Sequence, residues 1–429
     1  MDFTGLTSGY RSLLPRAEFN VDRAVEIVRP ILEDVAQRGE TALKEYAERF
    51  DGVLPEHVRV PSNVIAEAEQ QLDPDLRRSF EIAIERRRKV AEELELDADP
   101  AAAKLAAGAT VGLRNIPIGR VGLYVPGGLA PLASSVIMNV VPAQIAGVES
   151  IAVTSPPQAE FGGLPHPNIL ALCGMLGVDE VYAAGGAQAI GMLAHGVDGL
   201  CEPVDLISGP GNIYVVAAKR AVRGLVAIDS EAGPTEIAIV ADDSANPEYV
   251  AADLISQAEH DPMAASVLIT ESKALADAVN AALEPQIAKL SHQDRIRTAL
   301  TGEQSAIVLV RDLDQAVAVA DAYAAEHLEI QTKDAAAVAG RIRNAGAIFV
   351  GDHSPVSLGD YSAGSTHVLP TAGCACHSSG LTVRSFMKTV HVIDYSAEAL
   401  AEIAEDVERF AHAENLPGHA AAIAVRQGR

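Results

Sequence analysis

Two short segments of the chain combine side chains that can bind a metal ion or move a proton. In Gln257-Ala-Glu-His260 the amide and the imidazole are three positions apart, near the end of a helix that Pro262 must terminate. Residues three apart share a helix face, so both side chains can converge on one ion. The second segment, Glu326-His327, lies where a helical pattern ends and a strand begins. An imidazole that titrates near neutral pH suits a general base for alcohol oxidation.

Two further segments place a carboxylate and a histidine outside any strong helical pattern. The loop Leu358-Gly-Asp360-Tyr-Ser-Ala-Gly-Ser-Thr-His367 is rich in small residues, which seldom serve packing and so favour a functional role. Near the C-terminus, Glu414-Asn-Leu-Pro-Gly-His419 repeats the combination. Taken singly, each of the four segments is also compatible with an ordinary helix end or surface loop.

Three loops rich in glycine and proline stand where a strand should end and a helix begin. They are Tyr124-Val-Pro-Gly-Gly128, Gly185-Gly-Ala-Gln188 and Gly209-Pro-Gly-Asn212. Ligands bind at this edge of an open α/β sheet, and helix N-termini there favour anionic groups. The sequence contains no G-x-G-x-x-G fingerprint, so a standard dinucleotide site is not supported, and simple tight turns remain the alternative.

The elements that position these segments follow from the hydrophobic pattern. It predicts a helical N-terminal region, then strands alternating with helices, which is typical of parallel sheets with helices on their faces. The first series has predicted strands at 121–125, 150–154, 180–183, 204–207 and 225–228, with helices at 133–146, 167–176, 187–195 and 213–222. The second series has strands at 237–240, 266–269, 306–310 and 347–350, with helices at 247–259, 273–290, 313–325 and 335–344.

The predicted fold class is therefore α/β, with two consecutive Rossmann-like modules that lack the classical fingerprint. We expect a helical region at 1–110 that packs on the second module, a first module at 111–234 and a second module at 235–371. A small tail domain at 372–429 holds a predicted strand at 389–393, a helix at 397–412 and a last short helix near Ala420.

Composition excludes several classes of protein. The 429 residues are 48 % hydrophobic and 21 % charged, as in an ordinary globular protein. The 33 Lys and Arg against 58 Asp and Glu give a formal charge of −25, which repels phosphate backbones and argues against nucleic acid as a partner. No run approaches the roughly 18 apolar residues of a membrane helix, and the N-terminus lacks the apolar core of a signal peptide. We therefore expect a cytoplasmic protein with no membrane partner.

Taken together, the segments resemble the histidinol dehydrogenase family over nearly the whole chain. The resemblance is carried by RVGLYVPGG, GGAQAI, SGPGN, EAGPTE, LISQAEH, AEHLEI, GDYSAGSTHVLPT and the terminal His419, which occur in the family's order and spacing. It implies that L-histidinol, two NAD and water give L-histidine and two NADH through L-histidinal, the last step of histidine biosynthesis.

The resemblance also implies a role for particular residues. One Zn²⁺ per subunit would be held by Gln257, His260, Asp360 and His419, with Mn²⁺ or Co²⁺ as substitutes, and would mainly orient the substrate. Substrate contacts carry over to Thr235, His327, His367 and Glu414, besides the metal ligands. Thr235 stands where Ser is commoner in the family, so the hydroxyl is kept and a methyl group is added.

The catalytic pair implied by the resemblance is Glu326 and His327. His327 would take the hydroxyl proton as hydride leaves to NAD and assist the second oxidation, and Glu326 would activate the water that hydrates the aldehyde. The NAD contacts carry over to Tyr124, Gln188 and Asn212. Family members are homodimers whose tail domains exchange, so His419 would reach the partner's site.

Three other functions compete with this interpretation. A cysteine-dependent aldehyde dehydrogenase would need Cys374 or Cys376 as its nucleophile. These two and Cys173 and Cys201 are too few and scattered for a disulfide framework, and we expect all four to be structural or incidental. A metal-dependent hydrolase would use the same His, Asp and Gln ligands without NAD. A non-catalytic metal- or ligand-binding protein would lose nothing measurable when Glu326 and His327 are replaced.

Overall fold

The computed structural model describes residues 1–17, 21–96, 98–127, 131–231 and 233–429. Within these residues the contacts define two compact units. The main unit comprises Met1–Glu95 and Gly119–Phe386, and the tail unit comprises Leu96–Ile118 and Met387–Arg429.

The secondary structure alternates strands and helices along most of the chain. The strands are β1 (Ala103–Ala106), β2 (Ala109–Pro117), β3 (Arg120–Tyr124), β4 (Ser150–Ser155), β5 (Val181–Ala183), β6 (Leu206–Ser208), β7 (Ala227–Ile228), β8 (Glu236–Ala241), β9 (Ala265–Thr270), β10 (Ala306–Leu309), β11 (His327–Gln331), β12 (Ala347–Val350) and β13 (Met387–Tyr395). The α-helices are α1 (Val21–Arg38), α2 (Glu40–Phe50), α3 (Ser62–Gln71), α4 (Pro74–Val90), α5 (Ser134–Ala146), α6 (Pro167–Met175), α7 (Gly186–His195), α8 (Ile213–Val222), α9 (Pro247–Ala258), α10 (Lys273–Ile287), α11 (Gln293–Thr301), α12 (Leu313–Tyr323), α13 (Ala335–Ala339), α14 (Val356–Tyr361), α15 (Ala397–Ala413) and α16 (Pro417–Ala424). A π-helical turn, Ala91–Glu95, follows α4, and 3-10 turns lie at Tyr10–Ser12, Ala159–Phe161, Cys374–Cys376, Val383–Phe386 and Val425–Gln427.

Two parallel five-stranded sheets of the main unit have the same relative strand order. The first is β5-β4-β3-β6-β7 and the second is β10-β9-β8-β11-β12. In each, the chain begins in the central strand, adds two strands on one side and then crosses to the other, which is the doubly wound arrangement. The predicted α/β class with two Rossmann-like modules is confirmed. A topological switch point lies between β3 and β6 in the first sheet, and between β8 and β11 in the second.

The N-terminal helices cover the first module rather than the second, on which the sequence had placed them. The buried residues of α1, Val21, Ala24, Val28, Leu32 and Val35, recur at intervals of three and four and join the core formed with α7 and α8. Helices α3 and α4 pack on α6 and α5. The segment before α1 reaches the second module, where Phe3 and Leu14 enter its core. The helical pattern shows which face is buried but not which sheet buries it.

Several element ends differ from the prediction because short elements leave little periodicity. The helix predicted at 273–290 is α10, followed by a separate α11, and the helix predicted at 335–344 ends at Ala339. The six-residue α14 occupies part of the segment predicted as a loop at 358–367.

The tail unit is built on an antiparallel sheet that the sequence did not predict. Its strand order is β1-β2-β13, and β13 pairs with β2 along nine residues, from Met387 beside Pro117 to Tyr395 beside Ala109. Helices α15 and α16 pack on each other. The observed unit therefore combines residues 96–118 with residues 387–429, whereas the sequence divided the chain at 110 and 372. Strands this far apart in sequence give no local sign of their pairing.

No helix in the described ranges is long and apolar enough to cross a membrane.

A buried ion pair holds the turn between Asp360 and His367 against the helical region. Arg87 of α4 is fully buried and donates to both oxygens of Glu95, at 2.8 and 2.9 Å. It also contacts the Gly364 carbonyl oxygen at 3.4 Å, and Glu95 accepts from the Val383 backbone N–H at 3.0 Å.

We expect Arg87→Met to lower the free energy of unfolding by about 3–5 kcal/mol, because it leaves the Glu95 carboxylate without its buried cation. Urea unfolding of both proteins at neutral pH measures the difference. The control is Arg297→Met, which breaks an exposed pair with Glu284 and should leave the urea midpoint unchanged. Equal effects of the two substitutions would show that burial of the Arg87 pair does not matter.

Candidate active site

The amino ends of the neighbouring strands β8 and β11 bring four polar residues together. β11 begins at His327, which lies beside Ile237 of β8 in the parallel register. Glu326 precedes β11, and Thr235 and Glu236 stand at the start of β8. Oε2 of Glu326 accepts hydrogen bonds from the Thr235 hydroxyl at 2.6 Å and from the Glu236 backbone N–H at 3.0 Å. Glu326 and His327 therefore lie together at this sheet edge, and both are buried.

The ring of His327 is held in one tautomer. Its Nδ1 lies 3.2 Å from the Glu236 carbonyl oxygen. Because a carbonyl only accepts, Nδ1 carries the proton and Nε2 keeps a free lone pair. Nε2 is buried and has no hydrogen-bond partner in the part of the chain that the structure describes. Burial lowers the pKa of His327, so the neutral, proton-accepting form is favoured.

The carboxyl group of Glu326 is an unusually strong base for its type. Burial raises its pKa to about 8, against the opposing effect of the hydrogen bonds from Thr235 and Glu236. The nearby charge of Asp360 raises the pKa further. A carboxylate with a raised pKa can accept a proton from water more readily than an exposed one.

Arg16 supplies a positive charge beside Glu236, the residue whose backbone N–H binds Glu326. Its Nη1 lies 3.0 Å from Glu236 Oε2, and its guanidinium stacks over the ring of Tyr323 at 4.4 Å. Burial raises the pKa of Glu236 to about 7, and the charge of Arg16 opposes that rise. The sequence did not suggest Arg16 for the site, because 220 positions separate it from Glu236 and neither lies in a motif with a metal ligand or base.

The metal ligands predicted in the main unit come from the ends of α9 and α14. Gln257 is in the last turn of α9, and His260 follows the helix, its backbone N–H bonded to the Gln257 carbonyl at 3.3 Å. His260 Nε2 lies 3.7 Å from Oδ2 of Asp360, near the end of α14. The adjacent Asp360 carboxylate raises the pKa of His260, although burial opposes it. Burial raises the pKa of Asp360, but His260, His327 and His367 together lower it below its usual value.

These donors suit a metal ion that takes nitrogen and oxygen ligands. Oε1 of Gln257 is buried without a hydrogen-bond partner among the described residues, while Nε2 donates to the Thr235 hydroxyl. An unsatisfied buried oxygen costs about 1–3 kcal/mol, which a bound cation would offset. No group of three or more His, Cys, Asp and Glu side chains in the described ranges is arranged to hold a metal. Gln257, His260 and Asp360 thus form a partial set that needs a further ligand.

His367 sits behind Asp360. Its Nδ1 lies 3.1 Å from the Asp360 carbonyl oxygen, so Nδ1 donates, and its Nε2 lies 3.2 Å from the Ser135 hydroxyl. Burial lowers the pKa of His367. Both ring nitrogens therefore have protein partners, and the predicted substrate contact of His367 stays a prediction.

The three glycine loops converge at the carboxyl edge of the first sheet. The Tyr124 hydroxyl accepts from the Gly186 backbone N–H at 3.2 Å, which ties the first loop to the second. Gly209 has a φ of +121°, and a Cβ there would overlap the Tyr124 carbonyl oxygen, so the third loop packs on the same residue. Residue Gly128 of the first loop, like Ala232 of the EAGPTE segment, lies outside the described residues.

The other predicted cofactor residues lie at the N-terminal ends of two helices. Gln188 is buried in the first turn of α7. The Asn212 side chain caps α8 by accepting from the backbone N–H groups of Tyr214 and Val215 at 3.0 and 3.2 Å. Both helices have ten residues and begin just after strands of this sheet, α7 after β5 and α8 after β6. This arrangement suits an anionic ligand such as a pyrophosphate.

The two remaining predicted residues, Glu414 and His419, belong to the tail unit. Glu414 follows α15, and His419 lies in the first turn of α16. Both side chains are exposed. Their part in metal or substrate binding stays a prediction.

Comparisons with known proteins identify the family of the chain. The family model described as histidinol dehydrogenase matches residues 14–427. A histidinol dehydrogenase of Cutibacterium acnes is 64 % identical over 428 residues, covering 99 % of this chain and 98 % of that protein. The chain belongs to the histidinol dehydrogenase family. A second histidinol dehydrogenase, from Thermobifida fusca, is 59 % identical over 426 residues, covering 99 % of this chain and 97 % of that protein.

A crystal structure of histidinol dehydrogenase from Elizabethkingia anophelis has the same fold. It superposes with a TM-score of 0.92 at 33 % sequence identity, covering 98 % of this chain and 95 % of that one. The resemblance seen in the sequence is therefore confirmed over the full length.

Burial disfavours a reactive thiolate at Cys173 and Cys374 of this histidinol dehydrogenase family member. All four are free thiols, and Cys173 and Cys201 are buried. Burial raises the pKa of Cys173 to about 12 and also raises the pKa of Cys374. Within the described residues, the thiol-dependent alternative thus lacks a low-pKa nucleophile at Cys374.

The raised pKa of Glu326 predicts a pH dependence of stability. Because the folded pKa of about 8 exceeds the ordinary value of 4.5, the protonated carboxyl stabilises the fold below about pH 4.5, and this contribution is lost as the pH rises through about 8. Glu326→Gln replaces the carboxyl group with a neutral amide, so no negative charge has to be buried at high pH. In the presence of a chelator, we expect the variant to gain stability relative to the parent between pH 5 and pH 9, measured by urea unfolding. A difference that stays constant over this range would contradict the raised pKa.

Proposed function

We propose that the protein oxidises L-histidinol through L-histidinal to L-histidine, with NAD as the oxidant, as the last step of histidine biosynthesis. The observation that carries this proposal is the buried His327 imidazole, whose Nδ1 proton is held by the Glu236 carbonyl and whose Nε2 has no partner in the described residues. A neutral imidazole with a free, desolvated lone pair is suited to take a proton from a hydroxyl group. The family membership supplies the substrate.

In the first oxidation, His327 Nε2 accepts the proton of the histidinol hydroxyl as the carbinol carbon loses its hydride. NAD, when bound, accepts the hydride, and the protein's part is to position the nicotinamide and remove the proton. Burial, which lowers the pKa of His327, lets the imidazole release that proton again after the step. One NADH and the aldehyde result.

In the second oxidation, Glu326 removes a proton from the water that attacks the aldehyde carbon. Its ionised carboxylate is favoured as the pH rises toward about 8, and the Thr235 and Glu236 hydrogen bonds fix the orientation of Oε2. His327 then takes the hydroxyl proton of the hydrate as a second hydride leaves. The products are the carboxylate and a second NADH.

We propose that Gln257, His260, Asp360 and His419 hold one Zn²⁺, for which Mn²⁺ or Co²⁺ could substitute. When bound, the metal supplies positive charge that orients the substrate's nitrogen atoms. Two observations support the set: Oε1 of Gln257 has no hydrogen-bond partner among the residues that the structure describes, and His260 lies close to Asp360. Thr235, His327, His367 and Glu414 would complete the substrate site.

The NAD contacts proposed are Tyr124, Gln188 and Asn212, on three loops at one sheet edge. Because the chain carries a charge of −25, attraction for the dinucleotide must come from local backbone N–H groups and helix N-termini. We expect the enzyme to work in the cytoplasm, where four unpaired thiols stay reduced. We propose a homodimer in which the tail unit carries His419 and Glu414 to the partner subunit's site.

The first test is the stoichiometry of NADH formation with limiting L-histidinol and excess NAD. We expect two NADH per histidinol for the metal-loaded protein, loss of activity on chelation, and its return with Zn²⁺. For Glu326→Gln we expect about one NADH per histidinol with accumulation of aldehyde, because the hydration step loses its base. His327→Gln should lose both steps by at least about 100-fold. If the folded, metal-loaded protein forms no NADH, the proposal is wrong and a metal-dependent hydrolase is favoured.

Sharing of sites between subunits predicts complementation. Gln257→Ala and His419→Ala should each be inactive alone. If they are mixed under conditions that allow subunit exchange, we expect about a quarter of parental activity, because half of the dimers are mixed and each mixed dimer has one site with both ligands. The matched control mixes Gln257→Ala with His260→Ala, which lie in the same main unit and cannot complement. No recovery despite exchange shown by differently tagged subunits would exclude shared sites.

A further inference from the structure

A buried ion pair lies directly beneath the third glycine loop. Lys219, on α8, and Asp229, just after β7, are both almost fully shielded from solvent and form a salt bridge. Burying an ion pair costs desolvation energy that its attraction often only balances, so such a pair is weak evidence for a stabilising role alone. The position of this pair indicates another role.

Both members of the pair bind the backbone of the same residue. Lys219 Nζ donates to the Gly209 carbonyl oxygen at 3.1 Å, and Asp229 Oδ2 accepts from the Gly209 backbone N–H at 2.8 Å. The pair thus binds both the backbone N–H and the carbonyl oxygen of Gly209, the residue whose left-handed backbone packs on Tyr124. Three residues later, Asn212 caps the helix that carries Lys219. The loop is therefore bonded to α8 at two points, through Gly209 and through Asn212.

The same polar network continues toward the second module. The Ser208 hydroxyl lies 3.2 Å from Asp229 Oδ2 and 2.7 Å from Asn139 Oδ1. Asn139 Nδ2 donates to the Ser135 carbonyl at 2.8 Å, and the Ser135 hydroxyl lies 3.2 Å from His367. The network therefore joins the cofactor loop to the residue that binds the backbone of Asp360.

We propose that Lys219 and Asp229 are positioning residues for the dinucleotide: they hold the Gly209–Asn212 loop in the shape that binds NAD. This inference rests on the proposed function, because it takes the loop after β6 as part of the NAD site. In this role both residues act through the backbone of Gly209, and neither belongs to a segment that the sequence singled out for chemistry.

The test separates positioning from stability through the double variant Lys219→Met/Asp229→Asn. Each single variant leaves a buried charge without its partner, so we expect a lower Tm and weaker NADH binding. The double variant removes both charges, so its Tm should return toward the parental value. Its Kd for NADH, measured by calorimetric titration, should nevertheless stay raised by about tenfold, because the Gly209 carbonyl has lost its donor. In steady-state assays the KM for NAD should rise more than the KM for histidinol.

The control is a second ion pair at the opposite, amino edge of the same sheet. Arg120 at the start of β3 pairs with Glu180 just before β5, and both side chains are mostly buried. We expect each single variant, Arg120→Met or Glu180→Gln, to lower the Tm, and both single variants and the double variant to leave the Kd for NADH within about twofold of the parental value. If the double Lys219/Asp229 variant does not fold, Asp229→Asn and Glu180→Gln form the matched comparison, with weaker NADH binding expected only for Asp229→Asn.

Three outcomes would overturn the inference. Parental NADH affinity in the Lys219/Asp229 variants would show that the pair does not shape the site. A Kd that follows the Tm across all variants, the Arg120/Glu180 control included, would reduce the pair to a structural role. Failure of the parental protein to bind NADH would remove the cofactor from the proposed function as well, so the two failures are distinguishable.

Discussion

Where β8 and β11 lie side by side, one residue's backbone holds both members of the acid–imidazole pair. The N–H of Glu236 donates to Glu326, and its carbonyl accepts from His327. These bonds orient the carboxylate and select the imidazole tautomer at the same time. The parallel register of the two strands therefore fixes the geometry of the proposed chemistry. The surrounding elements keep these strand ends buried and offset the charge of the acidic side chains there.

Several acidic side chains of the second module are buried, which disfavours their charged forms. Partners from distant parts of the chain offset this cost. Arg16, from the segment before α1, pairs with Glu236, while His260 pairs with Asp360. Glu329, next but one to His327, accepts from the Val356 backbone N–H at the start of α14 and so anchors the helix that carries Asp360. Burial raises the pKa of Glu329 well above its usual value, so this carboxyl tends to keep its proton. The amide of Gln331 donates to both Glu329 and Asp253 of α9, which connects the strand with both ligand-bearing helices.

The two modules share a strand order but use opposite edges. The first presents its glycine loops at the carboxyl edge, next to its switch point, as expected for an open α/β sheet. The second presents Thr235, Glu326 and His327 at its amino edge. Helix α9 runs back antiparallel to β8, so its C-terminal end returns Gln257 and His260 to that same edge. A search for ligand sites only at the carboxyl ends of strands would find the glycine loops of the first module. It would miss the residues at the amino edge of the second module.

The sequence by itself determined the α/β class, most of the strands and helices of both modules, and the family, because each depends on local periodicity or on motifs read in order. Local pattern also marked Gln257, His260, Glu326 and His327 as candidates for chemistry. Only the tertiary structure showed which atoms meet: the Thr235 hydroxyl is bonded to Glu326, and an Asp360 oxygen lies 3.7 Å from His260 Nε2. It alone showed Arg16 behind Glu236, the Lys219–Asp229 pair beneath Gly209, the helical region on the first module, and β2 paired with a strand 274 positions away. The physical reason is the same throughout: hydrogen bonds and ion pairs between distant segments depend on how sheets and helices pack, and packing leaves no local trace in the sequence.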